Sequence, residues 1–133
     1  MKTILCIDDD GWVLDTLLQA LTPRGYRVLV TTSTRAGPNA LKHEKVDLVL
    51  LDLNMPTKHG LAVFRELELT APVPVLFVTA CSRSFRTQAF SVLEGYEKEF
   101  QIARANLLTK PFTLTQLFEK VESLIGPGTP CLV

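Results

Sequence analysis

Short apolar runs rich in β-branched residues alternate along this chain with longer segments whose apolar residues repeat at helical spacing. This alternation is typical of βαβ units arranged around a parallel sheet. Three of the runs, ILCI, LVLL and VLFV, are apolar at every position, as expected for central strands covered by helices on both faces. The sequence therefore predicts an α/β domain with strands at Thr3–Ile7, Arg27–Thr31, Leu48–Leu51, Val75–Val78 and Asn106–Thr109.

Helical spacing is clearest in the first and last of the segments that lie between or after the strands. A first helix is predicted from Val13 to Leu21, because the Pro-Arg-Gly sequence that follows stops it. In the last helix Thr113 and Gln116 have the spacing of a capping box, and Gly126 can end the helix. The residues after it, 127–133, are expected to form a loose tail or the start of a linker.

The three middle segments give weaker helical patterns. The stretch AGPNALKHEK predicts a short helix of about two turns, with Pro38 at its first position. A third helix is predicted over Gly60–Leu69. The fourth segment, Ser84–Arg104, is interrupted by Gly95, so it is either one bent helix or two pieces.

Size, charge and cysteine content exclude several classes of protein. A chain of 133 residues is enough for one domain, and its 14 basic and 14 acidic side chains give no net field that would attract nucleic acid or an anionic membrane. Cys6, Cys81 and Cys131 are too scattered for a disulfide framework or a metal site. No leader pattern and no apolar stretch of roughly 18 residues occurs. We therefore expect a cytoplasmic protein without membrane contact.

Charged and polar residues follow four of the five predicted strands. In a parallel α/β sheet, ligands bind outside the carboxyl ends of the strands, so these residues are expected to meet at one edge. Taken singly, each of these residues could have a purely structural role: an aspartate can cap a helix, a threonine can lie in a turn, and a lysine can be a solvated surface residue. Their joint position favours a functional site. They are Asp8, Asp9 and Asp10 after the first strand, Asp52 after the third, Thr79 after the fourth and Lys110 after the fifth.

The residue types at this edge indicate phosphoryl chemistry. Adjacent carboxylates repel one another unless a cation lies among them, and an all-oxygen site suits a hard ion such as Mg²⁺. A lysine and a hydroxyl opposite the metal supply the charge and the hydrogen bond that hold phosphoryl oxygens during transfer. One carboxylate would then be the nucleophile, because neither His43 nor His59 lies in an evident Ser/His or Cys/His pair.

Four motifs resemble the receiver domain of bacterial two-component response regulators. They are CIDDD, DLVLLDLNMPTKHG at Asp47–Gly60, PVLFVTA at Pro74–Ala80 and LLTKPF at Leu107–Phe112, and they occur in the family's order over about residues 2 to 126. The resemblance implies a flavodoxin-like (βα)5 fold, in which a doubly wound five-stranded parallel sheet of order 2-1-3-4-5 carries helices on both faces. It also implies one receiver domain over residues 1–126.

By this resemblance Asp52 is the phosphoacceptor and receives a phosphoryl group from a phosphohistidine. Thr79 and Lys110 would each contact a phosphoryl oxygen, and Lys110–Pro111 would be a cis peptide. The implied Mg²⁺ ligands are Asp8, Asp9, Asp52 and the backbone carbonyl of Asn54, with Asp9 bound directly and Asp8 largely through water. Met55–Pro56 and Gly60 would shape the loop after Asp52.

The resemblance also implies partners and a mode of action. The partner is a sensor histidine kinase or a phosphotransfer protein, together with an output partner that the sequence does not identify. A homodimer is compatible with the family, whereas direct nucleic-acid binding by this segment is not expected. The domain would assist its own phosphoryl transfer and hydrolysis without being an enzyme in its own right.

Two alternatives stay open at this point. DDDGWVLDT also resembles the opening motif of haloacid-dehalogenase-type phosphatases, with Asp8 as nucleophile, Asp10 as acid and base, and Thr79 and Lys110 as the later motifs. That reading leaves Asp52 unexplained, and no aspartate follows Asp52 in the chain to complete the family's metal site. The second alternative is a receiver-fold interaction module that is never phosphorylated.

Two departures from the receiver pattern concern signal output. The segment from Thr79 to Lys110 is longer than usual by roughly two helical turns. Leu107 stands where many receivers carry a tyrosine or phenylalanine that rotates when the threonine engages phosphate. We therefore predict intact phosphorylation chemistry with an unusual output, through a remodelled fourth helix.

Overall fold

The computed structural model describes residues 1–53, 60–80 and 97–128, without the side chains of Glu97, Phe100 and Arg104. Within these ranges five parallel strands form one sheet in the order β2-β1-β3-β4-β5. This order confirms the predicted doubly wound sheet. The strands are β1 (Thr3–Ile7), β2 (Arg27–Thr31), β3 (Leu48–Asp52), β4 (Val75–Thr79) and β5 (Leu107–Thr109).

Five α-helices accompany the strands in the described ranges, and a short 3₁₀ helix at Thr22–Arg24 follows the first of them. None of the described helices is long and apolar enough to cross a membrane. The α-helices are α1 (Gly11–Leu21), α2 (Ala36–His43), α3 (Gly60–Thr70), α4 (Glu97–Ala105) and α5 (Leu114–Ile125).

Alternate residues of the central strands enter two separate cores. Leu48 and Leu50 pack on the face covered by α1 and α5, whereas Val49 and Leu51 pack on the face covered by α2, α3 and α4. Every residue of β1, β3 and β4 is buried. The unbroken apolar runs in the sequence are therefore explained by helices on both faces of the sheet.

The helix boundaries confirm most of the sequence predictions. The α5 capping box is present, since Thr113 accepts a hydrogen bond from the Gln116 amide and Gln116 accepts one from the Thr113 amide. The prediction that Pro38 is the first residue of its helix is wrong. The helix α2 begins at Ala36, whose amide donates a hydrogen bond to the Ser33 carbonyl, so Pro38 is the third helical residue. In the fourth segment the structure describes α4 alone, and the question of one bent helix or two pieces falls on residues 84–96, which lie outside the described ranges.

Gly60 is required by a close approach and not by an unusual backbone angle. A Cβ atom at this position would lie 2.6 Å from the Leu53 Cα atom, closer than side chains pack. The positive-φ glycines of the described chain are Gly25 and Gly126. The Gly60 amide donates to the Leu53 carbonyl, so the start of α3 is fixed directly against the end of β3.

An ion pair joins α3 to α4. Arg65 Nε donates to Glu99 Oε1 at 3.0 Å, and Glu99 is buried although it is an acid. This hydrogen bond holds the pKa of the Glu99 carboxyl below its ordinary value. The pair therefore supplies the partner that a buried carboxylate needs between two helices.

The amino edge of the sheet is closed by contacts to the end of α5. The buried Tyr26 hydroxyl donates to the Gly126 carbonyl at 2.8 Å, and Lys2 Nζ donates to the Ile125 carbonyl. Arg24 forms an ion pair with Glu122 at 2.8 Å. These contacts fix the direction in which the chain leaves α5.

Candidate functional site

The first and third strands bring two buried carboxylates side by side at the carboxyl edge. Ile7 pairs with Leu51 in the parallel register, so the next residues, Asp8 and Asp52, are neighbours. Asp8 is 3% exposed and Asp52 is 4% exposed. Two carboxylates so shielded from water repel each other strongly unless positive charge compensates them.

Lys110 supplies positive charge at this point. Its Nζ atom lies 2.9 Å from Asp8 Oδ2 and 3.8 Å from Asp52 Oδ2. The lysine follows β5 and is held there because its backbone amide donates to the Thr79 carbonyl. The predicted cis peptide between Lys110 and Pro111 is present. The fifth strand thus delivers an ammonium group to the two buried carboxylates.

Asp9 completes an acidic cluster, and Asp10 does not take part in it. One carboxylate oxygen from each of Asp8, Asp9 and Asp52 lies within 4.8 Å of the other two. Asp10 instead caps α1, since its Oδ1 atom accepts a hydrogen bond from the Trp12 amide at 2.9 Å. The three consecutive aspartates therefore have different tasks.

The cluster fits a small divalent cation. Three carboxylate oxygens converge, and hard oxygen ligands of this kind are those that Mg²⁺ takes in proteins, usually with water completing its octahedron. Asp8 and Asp52 are buried while Asp9 is exposed, so the cluster has one side open to solvent. The donor set therefore agrees with the predicted magnesium site, whose remaining ligand, the Asn54 carbonyl, lies outside the described residues.

Thr79 reaches the same edge on the strand beside β3. Val78 pairs with Asp52, and Thr79 follows it as the last, fully buried residue of β4. The structure thus brings together all the predicted site residues that lie in its described ranges: Asp8, Asp9, Asp52, Thr79 and Lys110. Met55, Pro56 and His59 lie outside those ranges.

Cys6 is close to the acidic residues along β1, and its environment makes it inert. The thiol is completely buried, and this burial, together with the negative charge of Asp8, raises its pKa to about 12. A cysteine reacts as its thiolate, so Cys6 is not a nucleophile near neutral pH. It serves as a core residue, whereas Cys81 and Cys131 lie outside the described residues.

The sequence interpretation allowed for Asp10 as a helix cap, which is confirmed, but missed the hydrogen bond from its backbone to Asp8. Besides capping α1, Asp10 donates its backbone amide to Asp8 Oδ1 at 2.9 Å. Asp8 and Asp10 therefore each accept a hydrogen bond from the amide two residues ahead, the pattern of an Asx turn. The i, i+2 spacing of Asp8, Asp10 and Trp12 was a usable signal for this arrangement.

Comparison with known proteins agrees with this geometry. Residues 4–122 match the family model described as the response regulator receiver domain. The chain is 31% identical over 128 residues to the transcriptional regulatory protein RprY of Bacteroides fragilis, covering 94% of this chain and 49% of RprY. It is 29% identical over 133 residues to the phosphate regulon transcriptional regulatory protein PhoB of Pseudomonas aeruginosa, covering 96% of this chain and 54% of PhoB. The chain thus spans about half the length of these relatives.

A solved structure with the same fold is that of the response regulator TrrA from Thermotoga maritima in complex with Mg²⁺ and BeF. It superposes with a TM-score of 0.75 at 27% identity, and the match covers 93% of this chain and 99% of TrrA. The family model covers most of the chain, and the strand order is the one expected for the family. The chain therefore belongs to the response regulator receiver domain family of two-component signal transduction.

Proposed function

We propose that Asp52 accepts a phosphoryl group from the phosphohistidine of a sensor histidine kinase or a phosphotransfer protein. One observation carries this assignment: Asp52 ends a central strand inside a three-carboxylate cluster, with the Lys110 ammonium 3.8 Å from its Oδ2 atom. A carboxylate in that setting has both a cation site and a positive side chain close to its oxygens. The proposed domain is residues 1–126, followed by a tail or linker, in the cytoplasm.

The transfer exchanges one phosphorus bond for another. A carboxylate oxygen of Asp52 attacks phosphorus, the bond from phosphorus to the donor's imidazole nitrogen breaks, and the electron pair stays with the imidazole. The product is an acyl phosphate on Asp52, which water later hydrolyses. Lys110 would pair with one phosphoryl oxygen and the Thr79 hydroxyl would donate to another, so both groups stabilise the charge on the transferring group.

The proposed magnesium ligands are Asp8, Asp9, Asp52 and the Asn54 backbone carbonyl. When bound, the ion would supply positive charge that reduces the repulsion between the carboxylates and the incoming phosphoryl oxygens. Asp8 is already fixed by hydrogen bonds to Lys110 and to the Asp10 amide. These two hydrogen bonds support a role for Asp8 that needs no rearrangement of its side chain when a cation binds.

Phosphorylation would then change the surface that an output partner recognises. Leu107 is half-buried at the start of β5. Signal output through a remodelled fourth helix stays a prediction, since residues 81–96 lie outside the described ranges. No step of the proposed transfer depends on an output partner or on a homodimer.

Incubation with acetyl phosphate and Mg²⁺ tests the proposal. Intact-protein mass spectrometry should show the gain of one phosphoryl group, which Asp52→Asn and removal of Mg²⁺ with EDTA should each abolish. Asp15→Asn is a matched control, because Asp15 is an exposed aspartate on α1, outside the acidic cluster. This control should be modified like the wild-type protein.

Two other results would select the alternatives. A mass gain that survives Asp52→Asn and disappears with Asp8→Asn would favour the phosphatase-like chemistry with Asp8 as nucleophile. No modification under any condition, with a phosphohistidine donor as well as with acetyl phosphate, would favour a receiver-fold interaction module. Either result would overturn the assignment of Asp52.

A further inference from the structure

We infer that Asp10 is a positioning residue for the magnesium site, acting through its backbone and its helix cap, with its negative charge secondary. The inference rests on the proposed function, because it concerns how Asp8 is oriented toward the cation. It also assigns a task to the third aspartate of the opening motif, which lies outside the set of converging oxygens.

Three groups of Asp10 make hydrogen bonds at the start of α1. Its Oδ1 atom accepts from the Trp12 amide at 2.9 Å, and its carbonyl accepts from the Leu14 amide at 3.2 Å. Its own amide donates to Asp8 Oδ1 at 2.9 Å. The backbone at Asp10 is extended, with φ −96° and ψ 108°, as at a helix N-cap. The two bonds to α1 therefore fix the direction in which the Asp10 amide points.

The same amide is one of two donors that orient Asp8. Asp10 N contacts Asp8 Oδ1, and Lys110 Nζ contacts Asp8 Oδ2, each at 2.9 Å. Asp8 is buried and its two oxygens are thus held from opposite sides. If the cap is lost, the first turn of α1 frays, the amide direction is no longer fixed, and Asp8 is held only from the Lys110 side.

A cap needs an acceptor oxygen but not a charge, and this distinction gives the test. Asn and Ser cap helices about as well as Asp, whereas Ala cannot. In about 0.5 M salt, where interactions between separated charges are strongly screened, Mg²⁺ titration by calorimetry should show about fivefold weaker binding for Asp10→Ala. Asp10→Asn and Asp10→Ser should bind Mg²⁺ within about twofold of wild type.

A second readout uses the metal-free protein. In the Asp10→Ala variant, amide hydrogen exchange measured by NMR should be faster than in wild type at Trp12 and at position 10. In the Asp10→Asn variant it should be unchanged at both amides. Gln19→Gly is the control for general weakening of α1, because Gln19 is exposed near the other end of the helix and glycine costs a helix about as much as a lost cap. Gln19→Gly should keep wild-type Mg²⁺ affinity.

The outcomes separate failure of this inference from failure of the proposed function. Weak binding by all three Asp10 variants alike would show that the charge matters and would overturn the inference. So would unchanged binding in Asp10→Ala, or an equal loss in Gln19→Gly. If the wild-type protein binds no Mg²⁺ and takes no phosphoryl group, the proposed function fails first and the inference fails with it.

Discussion

The two edges of the sheet satisfy their polar groups in opposite ways. At the amino edge, Tyr26 and Lys2 donate to backbone carbonyls at the end of α5, and Arg24 is matched by Glu122. At the carboxyl edge, Asp8 and Asp52 are buried next to each other, and among the described residues three carboxylates converge where one ammonium group, that of Lys110, contacts two of them. The contacts at the amino edge stabilise the fold, whereas the described residues of the carboxyl edge gather carboxylates that a cation can bind.

This difference is built on the same strands. β1 begins after Lys2 at the amino edge and ends before Asp8 at the carboxyl edge, so the five residues of β1 separate the two edges. Buried like charges lower the stability of the metal-free protein, and ligand binding to the native state restores it. The comparison therefore predicts that Mg²⁺ changes the stability cost of substituting the charged residues at the carboxyl edge. It predicts no such change for substitutions at the amino edge.

The largest effect is expected from Lys110→Met. Without the ammonium group the metal-free protein should lose roughly 3 kcal/mol of unfolding free energy, because the buried Asp8 carboxylate loses its ion-pair partner. Urea unfolding followed by circular dichroism in EDTA and in Mg²⁺ measures this loss. Circular dichroism is preferable to fluorescence, since the single tryptophan, Trp12, is already 85% exposed in the folded protein.

Mg²⁺ should recover part of the stability lost in Lys110→Met, and by more than it stabilises the wild-type protein. Lys120→Met is a suitable control, because Lys120 is an exposed lysine on α5. If Lys110→Met and Lys120→Met are equally stable in EDTA, the carboxyl edge is not strained by its charges.

A smaller effect is expected at two crowded glycines, one at each edge. Gly60→Ala places a Cβ atom 2.6 Å from the Leu53 Cα atom, between β3 and α3, and should cost about 2 kcal/mol. Gly128→Ala places one 2.1 Å from the Arg24 carbonyl oxygen. Because Gly128 lies in no helix or strand, the chain can move aside and the cost should stay below about 1 kcal/mol. Thermal unfolding compares the two, and equal costs would contradict this explanation.

Apart from Gly128→Ala, the smallest effect is expected from Tyr26→Phe, which removes the hydrogen bond to the Gly126 carbonyl. The loss should be about 1 kcal/mol and should be the same with and without Mg²⁺. Burial raises the pKa of Tyr26 above its ordinary value of 10.0, so the unfolded phenol ionises first as pH rises. The stability that Tyr26 contributes is therefore complete below pH 10 and falls above it. A difference from Tyr26→Phe that grows above pH 10 would contradict this assignment.

The fold could be predicted because its central strands are buried on both faces. The unbroken apolar runs of β1, β3 and β4 fixed the strands to within a residue. Boundaries failed where a local hydrogen bond decided them. Asn106 was predicted to start β5, but β5 begins at Leu107, because the Asn106 amide donates to the carbonyls of Ile102 and Ala103 in α4 while only its carbonyl accepts a bond from β4.

The residues that form the site could be predicted from the sequence, but the contacts among them could not. Parallel strands end at the same edge, which is why Asp8, Asp52, Thr79 and Lys110 meet there. The resemblance to receiver domains separated Asp8 and Asp9 from Asp10, whereas the residue pattern alone could not, since that choice depends on side-chain rotamers and on the first turn of α1. The sequence could equally not reveal that Lys110 lies nearer to Asp8 than to Asp52.

The contacts that fix the end of α5 have a practical consequence for handling this domain. Gly126 is hydrogen-bonded to Tyr26 at the amino edge, whereas Asp52 ends β3 at the carboxyl edge, and a five-residue strand such as β3 is about 16 Å long. A fluorescent protein or affinity tag joined after Gly128 would emerge on the far side from the acidic cluster. Such a fusion should leave the phosphodonor free to reach Asp52.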